Sequence, residues 1–384
     1  MKNCTVVKNG IDNIDFNSKL FENKKLGLVT APTGLNRKLE STIDIINNKY
    51  NLVALFSPEH GVRGDIQAGV TIATYVDDKT KIPVYSLYGG ENRPSKEMMD
   101  LIDAIVMDIQ DVGSRYYTFL STMSNVMEEC ARYNKQFILL DRVNPINGST
   151  VEGNILKEDF RSFVGIQPIC PRHGMTLGEL AQYFNCELNI NCNLDVAKIT
   201  GWNRNMYYDD CDMFWVNPSP NVPSIDTAIL YNGTCFFEGT NISEGRGTTK
   251  PFEIIGAPWL DCNILAQSLN DMNLDGVAFR PTYFTPTFQK FKDELCKGVQ
   301  VHITNRNEVK SVEVGIRLLF EIKKQSGDKF KWLAPNREKG NFFIDLLAGS
   351  DELRNENINV DSTIADWNKQ AQLFKLKREK YLLY

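Results

Sequence analysis

The alternation of short apolar runs with longer segments of helical periodicity limits the fold of this chain more than any other feature. Apolar runs of four to seven residues bounded by turn residues are typical of strands buried in a parallel sheet. The segments 38–50 and 118–133 lie between such runs and are predicted helices. This order predicts an α/β fold, a Rossmann-like parallel sheet with helices on both faces. The predicted strands are 26–30, 51–55, 83–88, 103–109, 137–140 and 194–199.

The sequence changes character at about residue 240. Aromatic strands are predicted at 278–284 and 299–303, and helices near 262–269, 309–323 and 341–347. A chain of 384 residues is long enough for two domains. We therefore expect a Rossmann-like catalytic domain at 1–240 and a smaller α+β domain at 241–384, with a cleft between them.

Composition and charge exclude several classes of partner. The formal net charge of −5 gives no electrostatic reason to bind nucleic acid or an anionic membrane. The sequence has no apolar run long enough to predict a membrane span. Residues 1–15 are polar where a signal peptide needs an apolar core, so the chain as given is expected to be cytoplasmic, or secreted or periplasmic if a signal has been removed. The nine cysteines are scattered without a C-x-x-C pair, which favours reduced thiols; the oligomeric state is left open.

The standard cofactor and metal motifs do not occur. The first predicted strand is not followed by G-x-G-x-x-G, and neither G-x-x-x-x-G-K-[ST] nor G-x-S-x-G is present. The three histidines, His60, His173 and His302, form no H-E-x-x-H pattern. We therefore expect neither a nucleotide cofactor nor a histidine-built metal site.

Carboxylates in glycine-rich loops are the chemical groups that remain. The loop at 56–64 follows a predicted buried strand, and ligands of open α/β sheets bind at this edge. Pairs of carboxylates carry out glycoside hydrolysis, and arginines clamp anionic groups. Plainer interpretations stay open: a polar turn at 56–64, Asp108 capping backbone amides, Glu244 as a solvated charge and His173 as a structural residue. The loop carboxylates are Glu59, Asp108, Asp111, Glu238 and Glu244, and the arginines are Arg63, Arg115 and Arg246.

Several long motifs resemble one known family. From about residue 20 to the C-terminus the chain is similar to the bacterial exo-β-N-acetylmuramidase (NamZ) family. The resemblance implies a Rossmann-like domain beside a smaller one, an active site between them, and release of non-reducing terminal N-acetylmuramic acid from peptidoglycan fragments. The motifs that carry it are SPEHGVRG at 57–64, DIQDVGSRYYTF at 108–119, LDRVNPING at 140–148, RHGMTLGELA at 172–181, VNPSPNVPS at 216–224 and EGTNISEGRGTTKPFEIIGAPW at 238–259.

The resemblance also implies roles for individual residues. Glu59 is expected to be the principal catalytic carboxylate, acting as general acid, and His60 to orient it or bond the substrate. Glu244 or Asp111 is expected to be its partner. The lactyl carboxylate of N-acetylmuramic acid requires a cation or backbone donors, and the sugar's 2-acetamido group leaves substrate-assisted catalysis open beside the retaining and inverting mechanisms. The expected substrate-binding residues are Arg63, Arg115, Tyr116, His173, Asn217, Ser219 and Arg246.

Three other functions remain as alternatives. A β-N-acetylglucosaminidase-like enzyme needs the same acid but no arginine at the sugar's 3-position. A non-catalytic wall-glycan binding protein keeps the arginines and aromatic rings and tolerates loss of Glu59. A nucleotide-linked oxidoreductase has only the predicted sheet topology in its favour.

Overall fold

The computed structural model describes residues 6–59, 61–64, 74–90, 92–335 and 340–384. The predicted site residue His60 lies outside these ranges. A 3₁₀ helix at Gly10–Leu20 precedes the first strand. The strands of the N-terminal unit are β1 (Leu26–Thr30), β2 (Leu52–Ser57), β3 (Tyr75–Val76), β4 (Pro83–Ser86), β5 (Ala104–Asp108), β6 (Gln136–Leu140) and β7 (Asn193–Ala197).

These strands form one twisted sheet, whose order among the described residues is β3-β4-β2-β1-β5-β6-β7. β1 lies at its centre and pairs in parallel with β2 and β5. Every pairing is parallel except that of β3 with β4, a short antiparallel edge that the sequence did not predict. The predicted α/β class is therefore confirmed.

Alternate residues of each central strand face two separate apolar layers. Leu28 and Val106 pack with the first helix on one face, whereas Val29 and Met107 pack with later helices on the other. Burial on both faces explains why these strands are apolar without alternation. The helices of this unit are α1 (Thr42–Lys49), α2 (Lys96–Asp100), α3 (Phe119–Arg132) and α4 (Leu177–Glu187).

The second unit contains a smaller antiparallel sheet. Its strands are β8 (Ile254–Ala257), β9 (Val277–Phe284) and β10 (Cys296–Ile303), in the order β8-β10-β9 among the described residues. The sequence predicted β9 and β10 but not β8. The helices here are α5 (Ile225–Thr234), α6 (Cys262–Asp271), α7 (Ser311–Ser326), α8 (Phe343–Ala348) and α9 (Val360–Arg378). Among the described residues, no helix combines the length and apolar character needed to cross a membrane.

Helix α5 belongs with the second unit because it packs closely on α7. A Cβ atom added to Gly233 lies 2.9 Å from the backbone nitrogen of Gly315, so only glycines let the two helices approach this closely. The side chain of Ser224 caps α5, accepting from the Thr227 amide at 3.1 Å. We propose a domain boundary near Ser224, earlier than the sequence predicted.

The C-terminal helix α9 returns the chain to the N-terminal unit. It carries Ile364, Trp367, Ala371 and Phe374 on one buried stripe. Beyond it, the hydroxyl of Tyr384 donates to Asp141 Oδ2 at 2.8 Å, immediately after β6. The end of the chain therefore fastens the second unit to the parallel sheet.

Candidate functional site

Glu59 lies at the carboxyl edge of the sheet, two residues beyond the end of β2. Its Oε2 accepts a hydrogen bond of 2.9 Å from Thr118 Oγ1, the residue that precedes α3. The phenol of Tyr88 also bonds the Glu59 carboxyl; burial, then the charge of Glu59, raises the pKa of Tyr88 to about 12. Two hydroxyl groups from different loops therefore hold Glu59 in a fixed orientation.

Glu59 lines a cleft between the two units. The cleft has about 370 Å³ of empty space, part of it open to solvent. The first unit contributes Glu59, Tyr117 and Thr118, and the second contributes Arg246 and Phe252. Ser219, in the connection between the two units, also lines the cleft. The family resemblance implies an active site in a cleft of this kind.

Arg246 is the cationic group of the cleft wall. Its Nη2 lies 2.8 Å from Glu238 Oε1 and its Nε lies 3.3 Å from Glu244 Oε1. Its guanidinium carbon stands 5.1 Å from the centre of the Phe252 ring. Burial opposes the charge, but Glu238 and Glu244 outweigh it and raise the pKa of Arg246, so the guanidinium stays protonated.

The two glutamates beside Arg246 differ in exposure. Glu244 is 3% exposed and is held from its other side by Lys290, whose Nζ lies 2.8 Å from Glu244 Oε2. The side chain of Glu238 is 20% exposed. Among the described residues, its only ion pair is with Arg246. Glu244 is therefore enclosed between two cations, while Glu238 is the more open carboxylate.

Phe252 is a residue of this site that sequence reasoning missed. Its φ of 61° lies in the left-handed region, which bulky side chains rarely adopt. Its amide donates to the Glu244 carbonyl at 2.6 Å, and its ring meets Tyr231 edge-on, with centroids 4.7 Å apart. The strained backbone directs the ring beneath Arg246, and no sequence pattern marks such a position.

Asp111 and His173 form a buried pair that does not line the cleft. Asp111 Oδ2 accepts from the Gly113 amide at 2.7 Å and lies 3.4 Å from His173 Nε2. His173 Nδ1 accepts from the Met175 amide at 3.2 Å, which assigns the ring proton to Nε2. His173 is completely buried, so its ring faces Asp111 and not the solvent.

Tyr117 is a buried tyrosine that lines the cleft beside Thr118. Burial raises the pKa of Tyr117 well above its ordinary value, and the charges of Glu59 and Asp111 raise it further. The ring borders the cleft, and the hydroxyl is buried without a hydrogen-bond partner among the described residues. The expected substrate-binding residues include Tyr116 but not Tyr117.

Several of the expected substrate-binding residues are buried, already paired with other groups, or exposed away from the cleft lining. Arg115 is 1% exposed and donates to four backbone carbonyls. Tyr116 touches the cleft but is buried, with its hydroxyl donating to the Asn232 carbonyl at 3.1 Å. Arg63 is paired with Asp77, at 2.5 Å, and Asn217 is exposed on the connecting loop.

The described part of the chain contains no group of three or more histidine, cysteine or acidic residues arranged to hold a metal ion. The described residues of the cleft wall instead bring the Glu59 carboxyl, several hydroxyl groups and the Arg246 guanidinium together. Such a set can protonate a leaving oxygen, hold an anion and orient a polar ring.

Comparison with known proteins finds one family along most of the chain. The family model for the N-terminal part of exo-beta-N-acetylmuramidase NamZ matches residues 26–226, and the model for its C-terminal part matches 229–384. A Bacillus subtilis (strain 168) protein named peptidoglycan beta-N-acetylmuramidase NamZ is 44% identical over 98% of this chain and 91% of its own length.

Solved structures give the same result. A DUF1343 family protein from Bacteroides fragilis superposes with a TM-score of 0.90 at 38% identity, covering 98% of this chain and 99% of its own. A second protein of that description and organism has a TM-score of 0.78 at 31% identity, covering 99% of both chains. The matches extend through both units, and the chain belongs to the exo-β-N-acetylmuramidase NamZ family.

Proposed function

We propose that this protein is a glycoside hydrolase that releases non-reducing terminal, β-linked N-acetylmuramic acid from peptidoglycan fragments during cell-wall turnover and recycling. The observation that carries the proposal is the near full-length likeness to the Bacillus subtilis muramidase. The cleft supports it, because a carboxyl group and a guanidinium face the same space from opposite units.

Glu59 is the general acid of this reaction. Exo-cleavage requires a proton for the oxygen of the departing group, and a carboxyl group at the cleft surface can supply it. Thr118 and Tyr88 restrict the rotation of the Glu59 carboxyl, which keeps its proton directed at one place. Such restriction lowers the entropic cost of reaching the transition state.

Arg246 binds the lactyl carboxylate that distinguishes N-acetylmuramic acid from N-acetylglucosamine. Its Nε and Nη2 face Glu244 and Glu238, and Nη1 makes no hydrogen bond among the described residues. We assign Glu244 to holding this guanidinium, since the glutamate is enclosed between Arg246 and Lys290. The partner of Glu59 in the reaction is then Asp111.

Selectivity between two chromogenic substrates tests this function. We expect the wild-type protein to hydrolyse an aryl β-N-acetylmuramide with a kcat/KM roughly 10- to 100-fold above that for the matching β-N-acetylglucosaminide, the discrimination expected of one charge-assisted contact. The rates are followed by release of the aryl group under identical conditions. The unsubstituted aryl β-glucoside serves as the control for nonspecific hydrolysis.

Each contrary outcome selects a different function. Equal cleavage of both amino sugars leaves a glycosidase of the glucosaminidase type and removes the role of Arg246. Binding of the muramide without turnover identifies a wall-glycan binding protein. If NAD or NADP raises the melting temperature of the protein and the sugars do not, the oxidoreductase alternative is supported.

We place the protein in the cytoplasm. The eight cysteines in the described ranges are free thiols, and seven of them are buried. Unpaired thiols persist in reducing compartments. Cell fractionation with immunodetection is expected to find the native protein with cytosolic markers; recovery from the wall or the culture medium contradicts this placement.

A further inference from the structure

The buried polar atoms without a hydrogen-bond partner in the described part of the chain include Tyr117 Oη, at the cleft wall, and Asp111 Oδ1 and His173 Nε2 of the buried pair. Buried polar groups are almost always paired, and each exception in a native structure needs an explanation. These three belong to neighbouring residues of one site. A ligand that supplies the missing partners is the simplest explanation.

The second oxygen of Asp111 is already engaged. Asp111 Oδ2 accepts from the Gly113 amide and faces His173 Nε2, so the carboxylate cannot rotate without losing both contacts. Gly113 has a φ of +80°, and a Cβ there lies 2.7 Å from the side chain of Asn144, which fixes this turn. Asp111 therefore presents one oriented acceptor, Oδ1.

Tyr117 presents the complementary donor. Its ring lines the cleft, and it packs edge-on against Phe119 with ring centroids 4.7 Å apart. Its hydroxyl lies within electrostatic range of the Asp111 carboxylate and of Glu59. One donor and one acceptor, both unpaired in the described part of the chain, match the C=O and N–H groups of a secondary amide.

We propose that Asp111 Oδ1 and the Tyr117 hydroxyl hold the 2-acetamido group of the bound sugar, and that the oxygen of this group is the nucleophile of the reaction. The inference rests on the proposed function, since it requires a 2-acetamido sugar as substrate. Asp111 accepts from the acetamido N–H, and Tyr117 donates to its carbonyl oxygen. Both residues thereby direct that oxygen at the anomeric carbon.

The bonds and protons of the reaction balance. In the first step the acetamido oxygen forms a bond to the anomeric carbon, the bond to the leaving oxygen breaks, and Glu59 gives its proton to that oxygen. The resulting oxazolinium carries a positive charge that Asp111 stabilises by accepting from the N–H. In the second step Glu59 takes a proton from water, the water oxygen bonds to the anomeric carbon, and the acetamido oxygen regains its electron pair. The anomeric configuration is retained.

The two carboxylates that contact Arg246 do not provide an equivalent nucleophile. Glu244 is buried between Arg246 and Lys290, and Glu238 is bonded to Arg246 at 2.8 Å. Asp111 is buried, and its other oxygen is held by Gly113 and His173. Such a group is better suited to orienting and stabilising the acetamido group than to attacking the anomeric carbon. Both unpaired oxygens are covered in this structure, so the acetamido group displaces neighbouring side chains when it binds, and the hydrogen bonds tighten in the complex.

Two measurements on the wild-type protein test the proposal without any variant. Proton NMR of the early product is expected to show the β-anomer of N-acetylmuramic acid; the α-anomer overturns the proposal. Aryl muramides carrying N-acetyl, N-fluoroacetyl and N-trifluoroacetyl groups are expected to react progressively more slowly, by about 100-fold across the series, because fluorine withdraws electrons from the attacking oxygen. A flat series overturns it equally.

Variants then test the two residues. Asp111→Asn is expected to lower kcat by about 100- to 1,000-fold and Tyr117→Phe by about 10-fold. Both should weaken binding of the thiazoline analogue of N-acetylmuramic acid, a stable mimic of the cyclic intermediate, by 10-fold or more. Tyr207→Phe is the matched control, a buried tyrosine whose hydroxyl donates to the Arg306 carbonyl, and it should bind the thiazoline as wild type does.

These outcomes separate the two proposals. Failure of the wild-type protein to cleave any aryl muramide contradicts the proposed function. Cleavage with inversion, or thiazoline binding that is equally tight in all three variants, contradicts only the role of the acetamido group. Circular dichroism checks that each variant is folded. If Asp111→Asn does not fold, the anomer and fluoroacetyl measurements on the wild-type protein still test the role of the acetamido group.

Discussion

Glu59→Gln is expected to lower kcat for an aryl β-N-acetylmuramide by about 10³- to 10⁴-fold, the upper range for removal of a general acid. Glutamine has nearly the shape of glutamic acid, and its carbonyl oxygen can still accept from Thr118 Oγ1. It has no proton to give to the departing oxygen. The loss should therefore appear in turnover, with KM changed little.

The dependence on the leaving group identifies the acid role. An aryl group that departs readily as an anion needs little protonation, so the loss in Glu59→Gln should shrink markedly for dinitrophenyl relative to phenyl muramide. Glu308→Gln, which changes an exposed carboxyl near the start of α7, is the control and should behave as wild type. Equal losses with both leaving groups would show that Glu59 acts in some other way.

Much of the fold was predictable because its signals are local. The central strands are buried on both faces, so each appears in the sequence as an uninterrupted apolar run. The start of α4 carries a local signal of the same kind: the T-x-x-E spacing of Thr176 and Glu179 is that of a capping box, and the two residues form it with hydrogen bonds of 3.0 and 3.2 Å. The position of Glu59 followed from the same logic, since a loop after a buried parallel strand must lie at the ligand-binding edge.

Helix α9 was not predicted although its pattern is present. Ile364, Trp367, Ala371 and Phe374 are spaced alternately by three and four residues, as in an amphipathic helix. Most other positions of the helix are polar, and two further leucines, Leu373 and Leu376, are exposed, so the apolar stripe is hard to recognise. Counting the spacing of its few large apolar residues identifies the helix without a structure.

The functional state of each arginine was not predictable from sequence. Arg115 and Arg246 both stand in polar, glycine-containing motifs, and both matched the requirement for a cation. Which guanidinium is available depends on the carbonyls and carboxylates that the rest of the chain brings to it. For Arg115, two of these partners are the carbonyls of Leu347 and Ala348, which lie more than 200 residues away in the sequence.

Arg115→Met is expected to destabilise the protein by about 3–5 kcal/mol, because it leaves buried carbonyl groups without donors. The guanidinium of Arg115 donates to the carbonyls of Asn154 and Ile169 through Nη1, and to those of Leu347 and Ala348 through Nη2. Methionine fills the space of the aliphatic stem but replaces none of these bonds. The free energy of unfolding in urea measures the loss.

A control substitution at a second arginine helps to distinguish a structural role of Arg115 from a role in substrate binding. Arg280→Met removes an exposed guanidinium that donates to Gln300 Oε1, and it should change the free energy of unfolding by less than about 0.5 kcal/mol. If Arg115 instead held the lactyl carboxylate, Arg115→Met would raise KM for the muramide while stability stayed at the wild-type value. The four carbonyl contacts favour the reverse: a large loss of stability, with a near-normal KM in whatever fraction remains folded.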